Sequence, residues 1–360
     1  MTDSAEKKSG IWSIWTFAFG YFAAYVPYAA MTKALSSGLL APTIPKMSGT
    51  SMLPITIATS TLGMMVFLWA TGLWKHAHRF KLGPFMLPRP SLATLLSGIG
   101  TAAIIATTTL AYTFDMSIVF AQLLMRGGVL MVAPVVDLLG RRKFRWFSWV
   151  GFGFSVLAVI IPFMKDARIS MPVIAAINFA AYIAAYFVRL RLMTRFGKSD
   201  EEGAQVRYFV EEQLVATPMI LLTIAGLSFM PGEFGGQLQH GFSMLGQFLD
   251  LSAVTMPTLL LLMAIGLCSQ GTGIFGGLVL LDKSENTFAV PVNRASSVLA
   301  GVIAAGLIAY FFGKSMDAYE LGGAASIMCA ILVLSFAPML EKKRNAFLAR
   351  KAAAHAASGV

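Results

Sequence analysis

Charged residues are scarce in this sequence: Asp, Glu, Lys and Arg together make up 12% of its 360 residues. A soluble globular domain carries about a quarter of such residues, so this composition excludes an ordinary soluble domain. Hydrophobic residues account for 57% of the chain. They form long runs from one end to the other, and a helix needs about 20 such residues to cross a bilayer. The composition therefore predicts an all-α polytopic membrane protein.

The sequence also lacks the patterns on which most enzymes and metal sites depend. Its two cysteines, Cys268 and Cys329, lie in apolar stretches, which is typical of small hydrophobic residues rather than of a disulfide or a metal site. His76 and His78 share a basic loop without an acidic or thiol neighbour, so we expect no metal there. No Walker motif, HExxH or GxSxG occurs. We expect neither enzyme activity nor a cofactor.

Ten apolar segments predict ten transmembrane helices. They cover residues 11–33, 52–73, 92–113, 116–138, 144–163, 171–194, 206–230, 257–281, 287–311 and 320–339. The polar start MTDSAEKKSG predicts no cleavable signal peptide. Between spans seven and eight, the stretch GFSMLGQFLDL has helical spacing and is expected to lie on the membrane surface. The basic tail 341–360 is expected to fray.

The distribution of positive charge predicts the orientation. Lys and Arg accumulate on the cytoplasmic side of membrane proteins. If the N-terminus is inside, 21 of the 28 Lys and Arg residues fall on the cytoplasmic side and five on the other side. We therefore expect both termini in the cytoplasm, and the membrane to be a bacterial cytoplasmic (inner) membrane. The net charge of +11 reflects this topology. It forms no continuous patch that would bind nucleic acid.

Ten spans with both ends inside divide into two halves of five. Because five is odd, the halves must be inverted relative to each other, as is common in secondary transporters. The expected organisation is a cytoplasmic tail (1–10), a first repeat (11–167), a second repeat (168–340) and a basic cytoplasmic tail (341–360). The links between spans four and five and between spans nine and ten share a glycine, a basic residue and a short polar turn. The alternative is that any two consecutive transmembrane helices share this pattern.

Two arginines lie deep within the apolar segments. Arg126 is in span four, within FAQLLMRGGVLMVAP, and Arg294 is in span nine. Helical rise places each within roughly 5 Å of the membrane midplane. A charge at this depth costs a few kcal/mol, so it is a functional candidate by default. The planar fork of Arg suits carboxylate or phosphate. We predict that the two arginines bind an anionic substrate group.

Two glutamates offer a different explanation of Arg294. Glu211 and Glu212 lie near its depth in span seven. One of them could neutralise Arg294 as an internal ion pair, which we weigh equally with substrate contact. A carboxylate that is shielded in a cavity is also a candidate proton-coupling site, because burial raises its pKa.

The remaining candidates are polar residues that share helix faces. Tyr21 and Tyr25 lie on one face of span one, and Asn178, Tyr182 and Tyr186 lie on one face of span six. Tyrosines usually lie in the interfacial belts, so these stripes predict a cavity wall, with ordinary interhelical packing as the alternative. Gln122, Asn293 and Gln270 complete the predicted substrate-binding set. For the Ser and Thr clusters of spans three and eight we expect interhelical hydrogen bonds.

The ten-span pattern and the passage LLGRRKFRWFSWVG (138–151) resemble the drug/metabolite transporter superfamily. That superfamily includes EamA-like permeases, nucleotide-sugar transporters and triose-phosphate transporters. The resemblance implies two inverted five-helix repeats around a central cavity. The stretch VPVNRASSVLAG (290–301) is similar to the phosphate-contacting ninth span of the sugar-phosphate branch. Arg294 matches the Arg of that span, while Asn293 replaces its Lys.

The sequence thus favours a secondary transporter, or permease, that moves a small organic metabolite with an anionic group by alternating access. A translocase of a lipid or a lipid-linked headgroup is the alternative within the same fold, and an integral membrane enzyme is a more distant one. The expected partners are the metabolite and the lipid bilayer, with a homodimer as an open alternative. Nucleic acid is not expected.

Overall fold

Long helices account for nearly all of the chain in the computed structural model. It describes residues 14–40, 44–82, 85–111, 114, 116, 118–139, 146–163, 173–199, 201–249, 256–282, 286–313 and 318–358. The predicted N-terminal tail (1–10) and most of the Arg-rich passage (140–145) lie outside the described residues. The helices are α1 (Ile14–Ser36), α2 (Gly49–Ala70), α3 (Leu92–Ala111), α4 (Ile118–Leu139), α5 (Trp146–Phe163), α6 (Val173–Leu192), α7 (Ala204–Leu227), α8 (Glu233–Leu249), α9 (Met256–Leu281), α10 (Asn286–Phe312) and α11 (Ala318–Ser358).

The helices show an all-α polytopic membrane protein. Within the described residues, six helical segments are long and apolar enough to cross a membrane. They are Gly49–Ala70, Leu92–Ala111, Val173–Gly197, Ala204–Leu227, Met256–Leu281 and Ala289–Phe312. Helices also occupy the positions of the other four predicted spans, as α1, α4, α5 and α11. That all ten cross the membrane stays a prediction.

Two segments form more structure than the sequence suggested. The basic loop after α2 contains a 3₁₀ turn (Leu73–His76) and an antiparallel hairpin of β1 (Arg79–Leu82) and β2 (Phe85–Pro88). The expectation that the C-terminal tail frays is wrong, because α11 continues without a break to Ser358. Its Ala, Leu, Lys and Arg residues are strong helix formers.

Helix α8 is the predicted surface segment, and it begins earlier than expected. Leu238 and Met244 are buried on one face, while Gln239 and His240 are exposed. Gly241 lies where a Cβ atom would come within 2.4 Å of the Ser51 carbonyl oxygen, so its lack of a side chain lets α8 pack tightly on α2.

The helix contacts place the tyrosine stripes at the centre of the bundle. Helix α1 packs on α9 and α10, while α6 packs on α3 and α4. Helix α2 packs on α9 and α7, and α7 also packs on α3. Helix α4 contacts α10, and α5 contacts α11. Tyr25 and Tyr182 both belong to the main buried core.

Candidate functional site

Arg126 is buried in α4, with only 2% of its surface exposed. Its Nε donates to Gln122 Oε1 at 3.0 Å, one turn earlier on the same helix. Its Nη1 donates to the hydroxyl of Tyr182 and its Nη2 to the hydroxyl of Tyr25. The guanidinium also lies 5.1 Å from the ring centroid of Tyr25. The charge is therefore held by neutral acceptors and aromatic faces from α1, α4 and α6.

Two glycines allow this arrangement. At Gly128 a Cβ atom would lie 2.6 Å from Ile183 Cδ1, so the glycine lets α6 approach α4 and bring Tyr182 to Arg126. At Gly301 a Cβ atom would lie 2.7 Å from Gln122 Cγ, so α10 can pack against the side chain that holds Arg126 Nε.

Arg294 lies in α10 and is completely buried. Its Cζ is 4.7 Å from the ring centroid of Tyr186, a cation–π distance. Its Nη1 is 3.4 Å from the Tyr182 hydroxyl, which is a long hydrogen bond. Its Nε and Nη2 have no hydrogen-bond partner among the residues that the structure describes. Buried polar groups are normally hydrogen-bonded, so the guanidinium of Arg294 has fewer hydrogen bonds than a buried group usually has.

The two arginines therefore converge on a single hydroxyl, that of Tyr182. Among the described residues no carboxylate forms an ion pair with either of them. Like charges this close repel strongly at low dielectric. An anion placed between or beside them would relieve that repulsion and satisfy the open donors of Arg294.

Three other predicted residues have a mixture of bonded and unbonded polar groups. Asn293, next to Arg294 in α10, donates its Nδ2 to the Gly276 carbonyl at 3.1 Å, while its buried Oδ1 has no partner among the described residues. Gln270 of α9 accepts at Oε1 from Ser60 at 2.6 Å, while its buried Nε2 has no partner in the same part of the chain. Tyr21 packs edge-on against Tyr25, with 5.3 Å between ring centroids.

Asn178 lies away from the arginines. Its Nδ2 donates to the Thr107 carbonyl at 2.9 Å, and it lines a cavity at the predicted external end of the bundle. Two turns further along α6, Tyr186 lies beside Arg294. The residues of the α6 stripe therefore lie in two different places, one at that cavity and two at the arginine pair.

Neither Glu211 nor Glu212 pairs with Arg294, so the expected internal ion pair is wrong. Glu212 forms a two-pronged ion pair with Arg189, at 2.9 Å from Nε and 2.8 Å from Nη2. Ser97 and Thr101 of α3 also donate to Glu212 Oε1. The physical reason is that α3 packs on both α6 and α7, which brings Arg189 of α6 close to Glu212 of α7.

The carboxylate of Glu211 is likewise bonded to other groups and not to Arg294. Its Oε1 accepts from the backbone amide of His78 at 3.1 Å and lies 2.7 Å from His78 Nδ1. Its Oε2 accepts from the amide of Ser91 and from Thr94 Oγ1. Glu211 thus attaches the β-hairpin segment to α3 and α7. A proton-coupling role for either glutamate stays a prediction.

Arg189 is the buried charge that the sequence did not reveal. It is one of the 21 Lys and Arg residues assigned to the cytoplasmic side, near the predicted end of span six, but its side chain is only 6% exposed. The signal was its spacing, because Asn178, Tyr182, Tyr186 and Arg189 follow one face of α6.

Comparison with known proteins identifies a fold but no function. No model of a known protein family matches the chain, and no curated protein matches it either. A solved structure described only as "Crystal structure of protein" is similar, with a TM-score of 0.52 and 12% sequence identity. The similarity covers 90% of this chain and 98% of that one. At this identity the likeness shows a shared fold alone.

Proposed function

We propose that this protein is a secondary transporter that moves a small organic metabolite with an anionic group across the cytoplasmic membrane. The observation that carries the proposal is the pair of buried arginines without a carboxylate partner among the described residues. Charges at membrane depth line substrate or ion pathways when they are not paired. A negatively charged ligand would stabilise a pair of cations that share one neutral hydroxyl.

The open donors assign unequal roles to the two arginines. Arg126 has all three nitrogens in hydrogen bonds with Gln122, Tyr25 and Tyr182, so it supplies mainly a fixed positive field. Arg294 has Nε and Nη2 unbonded within the described part of the chain, and these are the two donors of one edge of the guanidinium fork. That edge binds a carboxylate or phosphate through two parallel hydrogen bonds. Arg294 is therefore the direct ligand of the anionic group.

The open groups of Asn293 and Gln270 suit the remainder of an organic molecule. Asn293 Oδ1 is an acceptor and Gln270 Nε2 is a donor, and both are buried with no partner in the described ranges of the chain. Hydroxyl or amide groups of a metabolite would satisfy them, whereas a bare inorganic anion would not satisfy the acceptor. The site therefore favours a polar organic anion.

Alternating access would use the inverted repeat. Suppose that α1, α2, α3, α4 and α5 are exchanged with α6, α7, α9, α10 and α11, respectively. Most pairs of helices that contact each other then become other pairs that also contact each other. The contacts of α1 with α9 and α10 become those of α6 with α3 and α4, and α2 with α9 becomes α7 with α3. Contacts α4–α10, α2–α7 and α5–α11 are unchanged. Arg126 and Arg294 lie on the exchanged helices α4 and α10, and the two tyrosine stripes lie on α1 and α6.

This arrangement is what the resemblance to the drug/metabolite transporter superfamily implies, and membership of that superfamily is part of the proposal. The proposed transport cycle rocks the two halves around the arginine pair, so that each side of the membrane reaches the site in turn. No nucleotide-binding motif occurs in the sequence, so a gradient or an exchange reaction would drive transport.

Transport by reconstituted protein tests the proposal. Proteoliposomes that contain wild-type protein, Arg126→Gln or Arg294→Gln are assayed with radiolabelled dicarboxylates, sugar phosphates and, for comparison, amino acids and cations. We expect uptake or counterflow of at least one organic anion, and a loss of about tenfold or more in each variant, the equivalent of one strong polar contact. Arg191→Gln is the matched control, because Arg191 is an exposed arginine on α6 and its loss should leave transport unchanged.

Two further arms complete the experiment. Thermal unfolding of each variant checks that it is folded. A fluorescent anionic lipid in the same vesicles measures lipid translocation, and translocation of lipid in the absence of metabolite transport would favour the lipid-translocase alternative. Transport of a cation or zwitterion that survives Arg126→Gln and Arg294→Gln would refute the anion site.

A further inference from the structure

The connection between α2 and α3 is long, and its Lys and Arg residues are not balanced by acids. It comprises residues 71–91, whereas connections between bundle helices usually have about 2–8 residues. Its sequence contains no Asp or Glu. All of its Lys and Arg residues are exposed: Lys75, Arg79, Lys81 and Arg89. We refer to residues 73–82 and 85–89, which contain the 3₁₀ turn and both strands, as the basic hairpin.

The basic hairpin lies where the protein leaves the bilayer. The helices that precede and follow it, α2 and α3, are both long and apolar enough to cross a membrane. Exposed apolar residues extend to the last turn of α2 and start again at the first residue of α3, since Trp69 is 75% exposed and Leu92 is 71% exposed. In a membrane-spanning bundle such residues face lipid, and Trp is common at the headgroup level. The hairpin therefore emerges next to lipid headgroups.

One buried carboxylate holds the base of the basic hairpin in place. Glu211 Oε1 accepts from the backbone amide of His78, the residue before β1, and lies 2.7 Å from its Nδ1. Glu211 Oε2 accepts from the amide of Ser91, beyond the end of β2. The Arg89 amide donates to the His78 carbonyl at 2.6 Å, which closes the base. Because both ends are bonded to α7, little conformational freedom remains to be lost when the hairpin binds a ligand.

The basic side chains are available to such a ligand. Within the described part of the chain, none of the four forms an ion pair. The guanidinium of Arg79 lies 4.6 Å from the ring centroid of Trp74, which is itself 39% exposed. The acids close to the base are already bonded: Glu211 is buried beneath it, and Glu201 pairs with Arg207.

The exposed surface of β1 combines an aromatic residue with two cations. Successive residues of a strand lie on opposite faces, so Phe80 is on one face and Arg79 and Lys81 are on the other. All three are exposed. An apolar face at the acyl boundary with Lys and Arg on the other face is typical of elements that lie in a membrane interface. Long basic side chains can reach phosphate groups from that other face.

We propose that the basic hairpin binds the headgroups of anionic phospholipids in the adjacent leaflet. Its four basic residues contact lipid phosphate, while Trp74 and Phe80 lie among the headgroups. Lipid is the occupant because the flanking spans hold the hairpin at the bilayer surface, and an anionic leaflet attracts each Lys or Arg near it. This interaction goes beyond the proposed function and does not depend on transport.

Fluorescence quenching by labelled lipids tests the proposal. Thr71→Cys carries an NBD fluorophore beside the hairpin, in a background in which Cys268→Ala and Cys329→Ala remove the native thiols. Thr223→Cys is the matched reference near the opposite end of the bundle. Both threonines are exposed, and each hydroxyl donates to the carbonyl four residues earlier. The vesicles contain equimolar phosphatidylglycerol and phosphatidylcholine, and one or the other lipid carries a doxyl quencher.

The anionic lipid should quench the label at Thr71→Cys more strongly than the zwitterionic lipid does. The preference should reach up to about fivefold, which is the affinity that one basic residue near an anionic surface adds. The two lipids should quench the label at Thr223→Cys about equally. An equal preference at the two labels would overturn the proposal.

Charge variants show whether the hairpin causes this preference. Combined replacement of its four Lys and Arg residues by Gln should lower the preference at Thr71→Cys to that of the reference. Replacement of each Lys by Arg and each Arg by Lys should keep it. The matched control replaces four other exposed basic residues of the same predicted side by Gln: Arg191, Arg195, Lys343 and Arg344. Thermal unfolding checks that every variant is folded. A preference that survives neutralisation of the hairpin would overturn the proposal.

The depth of the hairpin provides an independent measurement. A nitroxide on Phe80→Cys should be more accessible to oxygen, which concentrates in the bilayer, than to a water-soluble nickel chelate. A nitroxide on Asn345→Cys, at an exposed position of α11 beyond the predicted span, should show the reverse. Greater access of nickel at Phe80→Cys would show that the hairpin projects into water. If the label at Thr71→Cys is instead shielded from both lipids until the protein is diluted with excess lipid, a second copy of the chain covers the hairpin. Either result would overturn lipid as its occupant.

Discussion

Arg126 and Arg294 lie on different helices, α4 and α10, and share one hydrogen-bond acceptor, the hydroxyl oxygen of Tyr182. Neither is paired with a carboxylate of the described residues. The hydroxyl screens two like charges that would otherwise face each other through protein of low dielectric. The site is thus held together by a neutral group, which has consequences for mutation.

Tyr182→Phe should destabilise the protein in the absence of ligand. The change removes the acceptor of Arg126 Nη1 and the one bonded acceptor of Arg294, and leaves buried charged donors unsatisfied. The expected cost is roughly 1–3 kcal/mol, seen as a lower Tm in detergent. Tyr310→Phe is the control, because Tyr310 is 82% exposed and its loss should leave Tm unchanged. Equal melting temperatures for both variants would show that the shared hydroxyl does not stabilise the pair.

Substitution by lysine should distinguish the two arginines. Arg126 uses three nitrogens on three separate acceptors, and a single ammonium group cannot reach all of them. Arg294 has one long hydrogen bond and two free donors, so lysine replaces more of its present role. We expect Arg126→Lys to lower Tm more than Arg294→Lys does.

Transport provides the second measurement of this asymmetry. Arg294→Lys should keep a measurable rate with weaker anion affinity, because the charge remains but the bidentate fork is lost. If Arg294→Lys instead lowers Tm as much as Arg126→Lys, then Arg294 is as firmly held as Arg126, and its open donors do not bind ligand.

Glu212→Gln should be among the most destabilising single changes in the chain. It leaves the buried guanidinium of Arg189 without its carboxylate, and removal of one partner from a buried pair typically costs about 3–5 kcal/mol. Arg189→Met added to Glu212→Gln should recover part of the lost Tm, because no unpaired charge then remains. Glu201→Gln breaks the exposed pair with Arg207 and should change Tm little. A small effect of Glu212→Gln would show that the ion pair is not needed to hold α3, α6 and α7 together.

Much of the central site could be predicted from the sequence because depth in a membrane protein follows from position along an apolar run. Arg126 and Arg294 stood out as charges far from any loop, and Gln122 followed from helical spacing. The tyrosine stripes followed from the same spacing, and the structure places Tyr25 and Tyr182 on Arg126.

The misses concern the partners of side chains, which hydropathy does not report. Arg189 lies in the last turn of α6, near the end of the predicted span 171–194, yet its side chain is buried. Arg189 therefore reaches Glu212, and the pairing with Arg294 that depth alone suggested does not form. The partners of Glu211 belong to the hairpin segment and the start of α3, which no hydrophobic pattern predicts.

The contact between α3 and α7 depends on Gly98, and Gly98→Ala should weaken it. A Cβ atom there would lie 2.6 Å from Val215 Cβ and 3.1 Å from the Glu212 carbonyl oxygen, too close for either to remain in place. Val215 is β-branched and stiff, so the two helices must move apart, at an expected cost of roughly 1–3 kcal/mol.

Gly306→Ala is the matched control for this change. Gly306 is also within a helix, and a Cβ atom there would meet nothing within 4 Å. Alanine at such a position should leave Tm unchanged or raise it, because glycine in a helix is less stable than alanine by about 0.5–1 kcal/mol. Because Ser97 and Glu212 flank the strained contact, Gly98→Ala should also weaken the bond between them. If Gly98→Ala has the same Tm as Gly306→Ala, then α3 and α7 can separate without a loss of stability. The ion pair of Arg189 would then not depend on their close approach.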